Sequence, residues 1–240
     1  MDVLTSEIPP KADVVPDRSA GATARSRVPT ALAVVIFAVV AGLGVWYIHR
    51  FAVNMIYFDQ WTDIGLIQRA HSGTLTLGAL WAQHNENRVF FPNLVVLALA
   101  YTTHFDIVVE DYICGALLGS AAALLIVAHK RRSPSLSWLA YAPVALVLVG
   151  YVPLADALFG YQIGWFLVLV GLAGSLFCLD RQVPSQLAMA GAIAFGVVGS
   201  FSAIEGLFIW PVGLVLLFLR RRSLRAMAVW TVAGVVAGVL

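Results

Sequence analysis

The sequence contains few charged residues. Asp, Glu, Lys and Arg make up only 12% of its 240 residues, whereas 60% are hydrophobic, and the mean hydropathy is +0.87. Soluble domains carry about 25% charged residues, so the composition excludes a soluble domain and indicates an integral membrane protein with several transmembrane segments. The formal net charge of +2 is too small to indicate a nucleic-acid partner, which would require a basic patch facing the phosphates.

Cysteines and the motifs of soluble enzymes are also scarce. The two cysteines, Cys114 and Cys178, lie in apolar runs without a CxxC or Cys/His spacing, so we interpret both as core residues rather than zinc ligands or redox groups. The chain has no Gly-rich phosphate loop, no GxSxG motif and no HExxH motif. The sequence therefore excludes a catalytic site built on one of these common soluble-enzyme motifs.

Long apolar runs, in contrast, are abundant, and a helix needs about 20 apolar residues to cross a bilayer. We predict an all-α fold, a polytopic bundle of about seven transmembrane helices. The predicted spans are 29–48, 107–128, 133–155, 157–179, 182–204, 206–219 and 226–240. Residues 1–28 read as a disordered cytoplasmic tail and residues 29–240 as the transmembrane domain. Because the last run is short for a final span, we expect this chain to be either the N-terminal part of a larger protein that continues past Leu240 or a shortened relative of one.

The distribution of basic residues predicts the topology, since basic loops stay in the cytoplasm. Clusters at 18–27, 129–132 and 220–225 share one side only if segment 89–105 does not cross. We therefore predict that this segment is an interfacial or re-entrant helix; the alternative is an ordinary span and a local exception to the charge rule. Residues 49–106 then form one large extracytoplasmic loop of surface helices, and the N-terminus is cytoplasmic.

This loop opens with the acidic motif "DQWTD". Asp59 and Asp63 are four residues apart, so on a helix both carboxylates project from one face. They could supply a general base, or, at Asp59, an oxygen ligand for Mg²⁺ or Mn²⁺. The alternative is a pair of solvated acids that cap a helix.

A second polar cluster, "HNENR", precedes an apolar run later in the loop. Arg88 could bind a phosphate as a bidentate fork, while His84 or Glu86 could orient a hydroxyl group; a structural Glu86–Arg88 ion pair is the competing interpretation. Asp156 and Gln162 lie on another predicted outer loop and would share this face. Acidic residues at membrane depth are costly, which makes them candidates for function.

The order of these features resembles a known superfamily. A first span, an acidic motif, surface helices, the His/Arg cluster and Pro92 follow one another as in the C-type fold (GT-C) of membrane glycosyltransferases, which includes oligosaccharyltransferases, protein mannosyltransferases and aminoarabinose transferases. The chain is more closely similar to uncharacterised bacterial multispanning proteins with a "D-x-W … H-N-E-x-R" loop. The resemblance covers roughly residues 29–180, and Asn87 stands where related sequences often carry a second His.

The resemblance implies a function. It implies transfer of a sugar from a polyprenyl-phosphate donor at the outer face of the bacterial cytoplasmic (inner) membrane. By position, Asp59 matches the catalytic Asp and Asp156 the second acid, with Asp63 as a weaker candidate for either role. In this hypothesis Arg88 stabilises the departing polyprenyl phosphate. The alternatives are a transporter or lipid flippase whose charges line a substrate path, and a non-catalytic membrane assembly subunit.

Overall fold

The computed structural model describes residues 19–148, 150–183 and 185–240, and the described chain is mostly helical, as predicted. The first 18 residues of the predicted tail lie outside the described residues, and helix α1 begins at Ser19. The helices are α1 Ser19–Phe51, α2 Trp61–His71, α3 Leu77–Leu80, α4 Phe90–Thr103, α5 Ile107–Arg132, α6 Ala142–Leu148, α7 Tyr151–Asp156, α8 Ile163–Leu179, α9 Gln186–Ser200, α10 Ile209–Leu219 and α11 Leu224–Val239. Four 3-10 turns, Phe58–Gln60, Trp138–Tyr141, Gly160–Gln162 and Ile204–Phe208, join some of them.

Three helices are long and apolar enough to cross a membrane: Pro29–Phe51 of α1, all of α5, and Gly160–Leu179, which includes α8. Their outward side chains are apolar, as lipid contact requires; Val34 and Val45 of α1, for example, are 61% and 58% exposed. The other apolar helices have 10 to 17 residues. The membrane character of the chain follows from these helices, whereas the full set of seven predicted spans does not.

Helices α5 and α8 run parallel to each other. At their C-terminal ends Arg132 forms an ion pair with Asp180 at 3.2 Å, and at their N-terminal ends the side chain of Glu110 lies against Gly160. The chain between them must therefore return along the length of the bundle. It does so through α6 and α7, which are separated near Gly150, so the predicted span 133–155 is a broken helical pass.

The remaining passes alternate in direction. Helix α1 is antiparallel to α5, since Phe37 packs beside Ile126 and Ile48 packs against the first half of α5. Helices α8 and α9 form a hairpin in which the Ser175 hydroxyl donates to the carbonyl of Ala192 at 2.9 Å. Helices α10 and α11 form a second antiparallel hairpin, in which Gly213 lies against Trp230 and Gly234 against Trp210. The described residues thus make seven helical passes: α1, α5, α6 with α7, α8, α9, α10 and α11.

Segment 89–105 contains α4, a helix of 14 residues. At about 1.5 Å per residue it is roughly 21 Å long, which is short of the roughly 30 Å hydrocarbon core. Its first turn is tied to the end of α9, because the Phe91 N–H donates to the carbonyl of Phe201 at 3.1 Å. Helices α9, α10 and α11 have similar lengths of 11 to 16 residues, so length does not distinguish α4 from them, and the prediction that this segment does not cross stays a prediction.

The two ends of the bundle differ in charge. At one end Asp180 accepts hydrogen bonds from Arg132 and from Arg220, the latter at 2.7 Å, so the C-terminal ends of α5, α8 and α10 meet there. The opposite end holds α2, α3, the two-residue antiparallel strands β1 Gln83–His84 and β2 Asn87–Arg88, and the start of α8. A polar cavity lies among these elements.

Candidate functional site

The cavity at this end has a volume of about 390 Å³ and is walled by α2, the β1–β2 hairpin, α4, the first turns of α5 and α8, and the turn after α9. Residues that are far apart in the sequence therefore meet in one space. Polar groups line it from all sides, and the chain around it is otherwise apolar. Such a concave site with convergent polar groups is the first place to look for ligand binding.

Helix α2 contributes one face to the cavity. Asp59, Asp63, Leu66 and Arg69 recur at intervals of three or four residues and all line it, because residues at this spacing lie on one side of a helix. Asp59 and Arg69 are exposed at the mouth, whereas Asp63 is only 6% exposed. The structure therefore brings the two predicted Asp residues together but gives them different surroundings.

Asp63 is the buried acid of this face. Its Oδ2 atom has no hydrogen-bond partner among the described residues. Burial, and after it the neighbouring carboxyl groups of Glu110 and Asp59, together raise the pKa of the Asp63 carboxyl group to about 8, because burial and like charges both disfavour the ionised form. The group can thus take up or release a proton near neutral pH.

Glu110 enters the cavity from the first turn of α5. Its side chain is fully buried, and Oε2 accepts a hydrogen bond from the Gln60 amide at 3.0 Å. The other oxygen, Oε1, has no partner among the described residues. An unpaired buried carboxyl oxygen is costly, which marks Glu110 as a group retained for a reason other than packing.

The hairpin formed by β1 and β2 carries the "HNENR" motif and divides its side chains. His84 lines the cavity with an unpartnered Nε2 atom and lies 5.5 Å, ring centre to ring centre, from Tyr161. Asn87 accepts a hydrogen bond from the Ile204 N–H at 2.8 Å, which ties the hairpin to the turn after α9. Glu86 is exposed and does not line the cavity.

Arg88 has a structural environment. Its Nη1 atom donates to the carbonyl of Trp81 at 3.2 Å, and the guanidinium lies 5.5 Å from the centre of the same indole ring. It does not line the cavity. The basic side chain that does so from α2 is Arg69, which the sequence analysis did not single out.

The 3-10 turn Gly160–Gln162 supplies the wall opposite α2. Gln162 lines the cavity, and its Oε1 atom has no partner among the described residues. Asp156, at the end of α7, is exposed and is not part of the lining. Of the seven predicted site residues, the structure thus assembles Asp59, Asp63, His84 and Gln162, and leaves Glu86, Arg88 and Asp156 outside.

Three residues of this site, Glu110, Arg69 and Tyr161, are not placed there by the sequence pattern. The only signal for Glu110 was its position, beside Asp111, at the start of a run able to span a membrane. Its contact with Gln60 joins residues 50 positions apart, and no sequence pattern predicts it. Arg69 follows Asp63 by six residues on α2. This spacing identifies Arg69 as a site residue only once it is known which face of α2 lines the cavity.

Neither a metal site nor a similarity to a known protein indicates the function of the cavity. The described residues contain no group of three or more His, Cys, Asp or Glu side chains placed to hold a metal ion, so Mg²⁺ or Mn²⁺ ligation by Asp59 stays a prediction. No family model, no curated protein and no solved structure matches the chain. The chemistry of the cavity is the remaining guide to function.

Proposed function

We propose that the protein is a membrane glycosyltransferase that moves a sugar from a polyprenyl-phosphate donor to an acceptor at the outer face of the bacterial cytoplasmic membrane. One observation carries the proposal: a single cavity beside two helices able to span a membrane combines a buried carboxyl group, Asp63, with a guanidinium group, Arg69. A proton acceptor and a cation are the two groups that sugar transfer from a phosphate needs.

In the proposed reaction Asp63 removes the proton from an acceptor hydroxyl group. The acceptor oxygen forms a bond to the anomeric carbon of the sugar, and the bond from that carbon to the phosphate oxygen breaks. The electron pair leaves with the polyprenyl phosphate, whose growing negative charge Arg69 stabilises. A pKa of about 8 suits a base that works near neutral pH. The roles predicted for Asp59 and Arg88 thus pass to Asp63 and Arg69.

The lipid part of the donor has a place in this proposal. An apolar groove of about 600 Å³ runs between α1, α5 and α6. One end of it is formed by Ile48 and by Tyr112, which follows Glu110 by two residues on α5. We assign the polyprenyl chain to this groove, because its lining is made of apolar and small side chains from helices that face lipid.

The proposal includes a topology. All seven passes cross the membrane, the shorter ones with local thinning of the bilayer. The end that carries Arg132 and Arg220 faces the cytoplasm, as does the N-terminus, because basic residues favour that side. The cavity then opens on the outer face.

The test uses membranes from cells that express the protein, so that the acceptor is present, and a panel of polyprenyl-phosphate hexoses and pentoses as donors. Release of polyprenyl phosphate reports transfer. We expect Asp63→Asn to lower the rate by about 10²- to 10⁴-fold and Arg69→Gln by about 10²- to 10³-fold. The wild-type rate should rise with pH towards about 8, where Asp63 becomes ionised.

Matched controls are Glu205→Gln and Arg225→Gln, since both side chains are exposed and neither lines the cavity. Both should keep the wild-type rate. Wild-type rates in Asp63→Asn and Arg69→Gln would refute the site, and absence of release from every donor by correctly folded wild-type protein would refute the function.

A transporter is the second candidate, and one observation favours it. Asp111, next to Glu110 in a helix able to span a membrane, is 1% exposed, and neither of its carboxyl oxygens has a partner among the described residues. Buried acids of this kind mark ion or proton paths in transporters. Uptake of an intact lipid-linked sugar or a free sugar into proteoliposomes, without release of polyprenyl phosphate, would favour this function over sugar transfer.

A further inference from the structure

The orientation of the Gln60 side chain determines how one oxygen of the Glu110 carboxyl group is held. Gln60 is 1% exposed, and its Oε1 atom accepts a hydrogen bond from the Tyr57 N–H at 3.1 Å. An N–H group can only donate, so this contact identifies the oxygen of the amide. The amide nitrogen must then be the atom that faces Glu110, at 3.0 Å from Oε2.

Because the Gln60 nitrogen donates, Oε2 of Glu110 must act as an acceptor. The carbonyl oxygen of a carboxylic acid is a stronger acceptor than its hydroxyl oxygen, so we place a proton of Glu110 on Oε1, the oxygen that has no partner among the described residues. Gly160 leaves room for this arrangement, because a Cβ atom there would collide with the carboxyl group of Glu110. Glu110 thus has one fixed oxygen and one that is free to interact with a ligand in the cavity it lines.

Asp63 lines the same cavity and also has an unpartnered buried oxygen, Oδ2. The Glu110 carboxyl group contributes to the raised pKa of Asp63, and two like charges in one buried site do not both stay ionised. Several other titratable or charged groups surround the pair. They are Asp59 in the turn before α2, Arg69 on α2, His84 on the hairpin, Tyr161 before α8, Asp106 just before α5, and Asp111 and Cys114 on α5.

We infer that Glu110 is a ligand-binding residue of the cavity, and that Glu110 and Asp63 share one proton, so that together they present one hydrogen-bond donor and one acceptor to a hydroxyl group of the ligand. A hydroxyl group donates one hydrogen bond and accepts others, so it matches a carboxylic acid beside a carboxylate. This ligand class deepens the proposed function and rests on it, whereas the shared proton does not.

The shared proton can be tested without any enzymatic activity. Infrared spectroscopy of the purified protein in lipid nanodiscs follows the carbonyl band of protonated carboxyl groups as the pH is raised. In Glu110→Gln the side-chain amide keeps the contact with Gln60 and places an N–H₂ group at the position of Oε1, which mimics neutral Glu110. We expect the titration midpoint of Asp63 to fall by about one unit or more in this variant, the coupling at which two sites titrate as a pair.

The reciprocal variant keeps the test decisive if Glu110→Gln folds poorly. Asp63→Asn should remove one of the two coupled carboxyl bands and move the titration midpoint of the band that remains, whereas the control Glu205→Gln should leave both bands unchanged. Midpoints that stay at their wild-type values in both cavity variants would overturn the shared proton. A purely structural role of Glu110 would lower stability but would not move the midpoint of Asp63.

Ligand binding is tested on the same samples with a panel of methyl glycosides as probes. We expect at least one of them to shift the wild-type carbonyl band and none to shift it in Glu110→Ala. Coupled midpoints without any such shift would overturn hydroxyl recognition and leave the shared proton standing. A shift that occurs although no donor is cleaved would support the binding role and count against the proposed transfer reaction alone.

Discussion

Single residues decide how the acidic groups of the cavity behave. Asp63 and Asp59 belong to one short motif and look equivalent in the sequence, yet one is buried and the other exposed. The difference arises because Asp63 faces α5, whose first turn brings Glu110 against Gln60. The motif could thus predict two carboxylates on one helical face, but not that one of them has a pKa of about 8.

The raised pKa of Asp63 predicts how stability depends on pH. The folded protein holds this proton up to about pH 8, whereas the unfolded chain releases it near the ordinary value of 3.8. Between these values the folded state binds more protons, so stability must fall as the pH rises through this window. Thermal unfolding in detergent should show a wild-type protein that loses stability relative to Asp63→Asn from about pH 4 to about pH 8.

The exposed acid Glu205 provides the comparison for this prediction. Glu205→Gln should follow the wild-type curve at every pH, because its side chain lies outside the cavity. Parallel curves for wild type and Asp63→Asn would contradict a raised pKa at Asp63.

Neighbouring residues of one sequence motif can also have different surroundings in the structure. The motif "HNENR" predicts one functional cluster, yet His84 lines the cavity while Arg88 binds the carbonyl group of Trp81. Alternation along a strand and the turn at Asn85, where φ is 52°, separate neighbours in the sequence. The predicted phosphate-binding role of Arg88 is untested, and its contacts are those of a structural residue.

At the scale of helices, close contacts depend on small residues. A Cβ atom at Gly160 would collide with the side chain of Glu110, whereas one at Gly119 on α5 would meet nothing within 4 Å. We expect Gly160→Ala to destabilise the protein by about 1–3 kcal/mol, the usual cost of overpacking, and Gly119→Ala to change stability little. Denaturation in detergent measures both.

A double variant identifies the cause of this effect. Removing the carboxyl group in Glu110→Ala makes room for the new methyl group, so Gly160→Ala should cost clearly less in that background. An equal cost in both backgrounds would show that the Glu110 contact is not responsible, and an unchanged stability of Gly160→Ala alone would contradict the contact itself.

The apolar pattern predicts where helices lie but not whether each helix is continuous. Helices α5 and α8 follow the apolar runs closely. The run 133–155 instead forms a 3-10 turn, α6 and α7, with Pro143, Gly150 and Pro153 in or between them. Proline and glycine weaken helices, yet hydropathy counts them like any other uncharged residue.

At the scale of the whole molecule, the charged and polar ends define an axis. Asp180 joins the ends of α5, α8 and α10 through Arg132 and Arg220, and the cavity lies at the other end. If the bundle crosses the membrane along this axis, Glu86→Cys on the hairpin and Ser135→Cys after α5 should lie on opposite sides, and Val183→Cys after α8 should lie with Ser135→Cys.

This topology can be checked by labelling. In a background with Cys114 and Cys178 replaced by serine, a membrane-impermeant maleimide added to intact spheroplasts should label only the cysteine at position 86. The cysteines at 135 and 183 should react after permeabilisation. Labelling of position 135 in intact spheroplasts would contradict the proposed orientation, and labelling of 135 and 183 from different sides would contradict the parallel arrangement of α5 and α8.

Composition and run length are enough to establish that the chain is helical and membrane-embedded, because they depend only on the cost of placing polar groups in lipid. The sequence also indicated where polar chemistry gathers. The packing of the folded chain sets which polar groups meet: Gln60 with Glu110, Asp63 and Glu110 in one cavity, and Arg69 rather than Arg88 at that cavity. Burial and long-range contact depend on how α2 packs on α4 and how α5 packs on α8, and residues 50 positions apart leave no common pattern in the sequence.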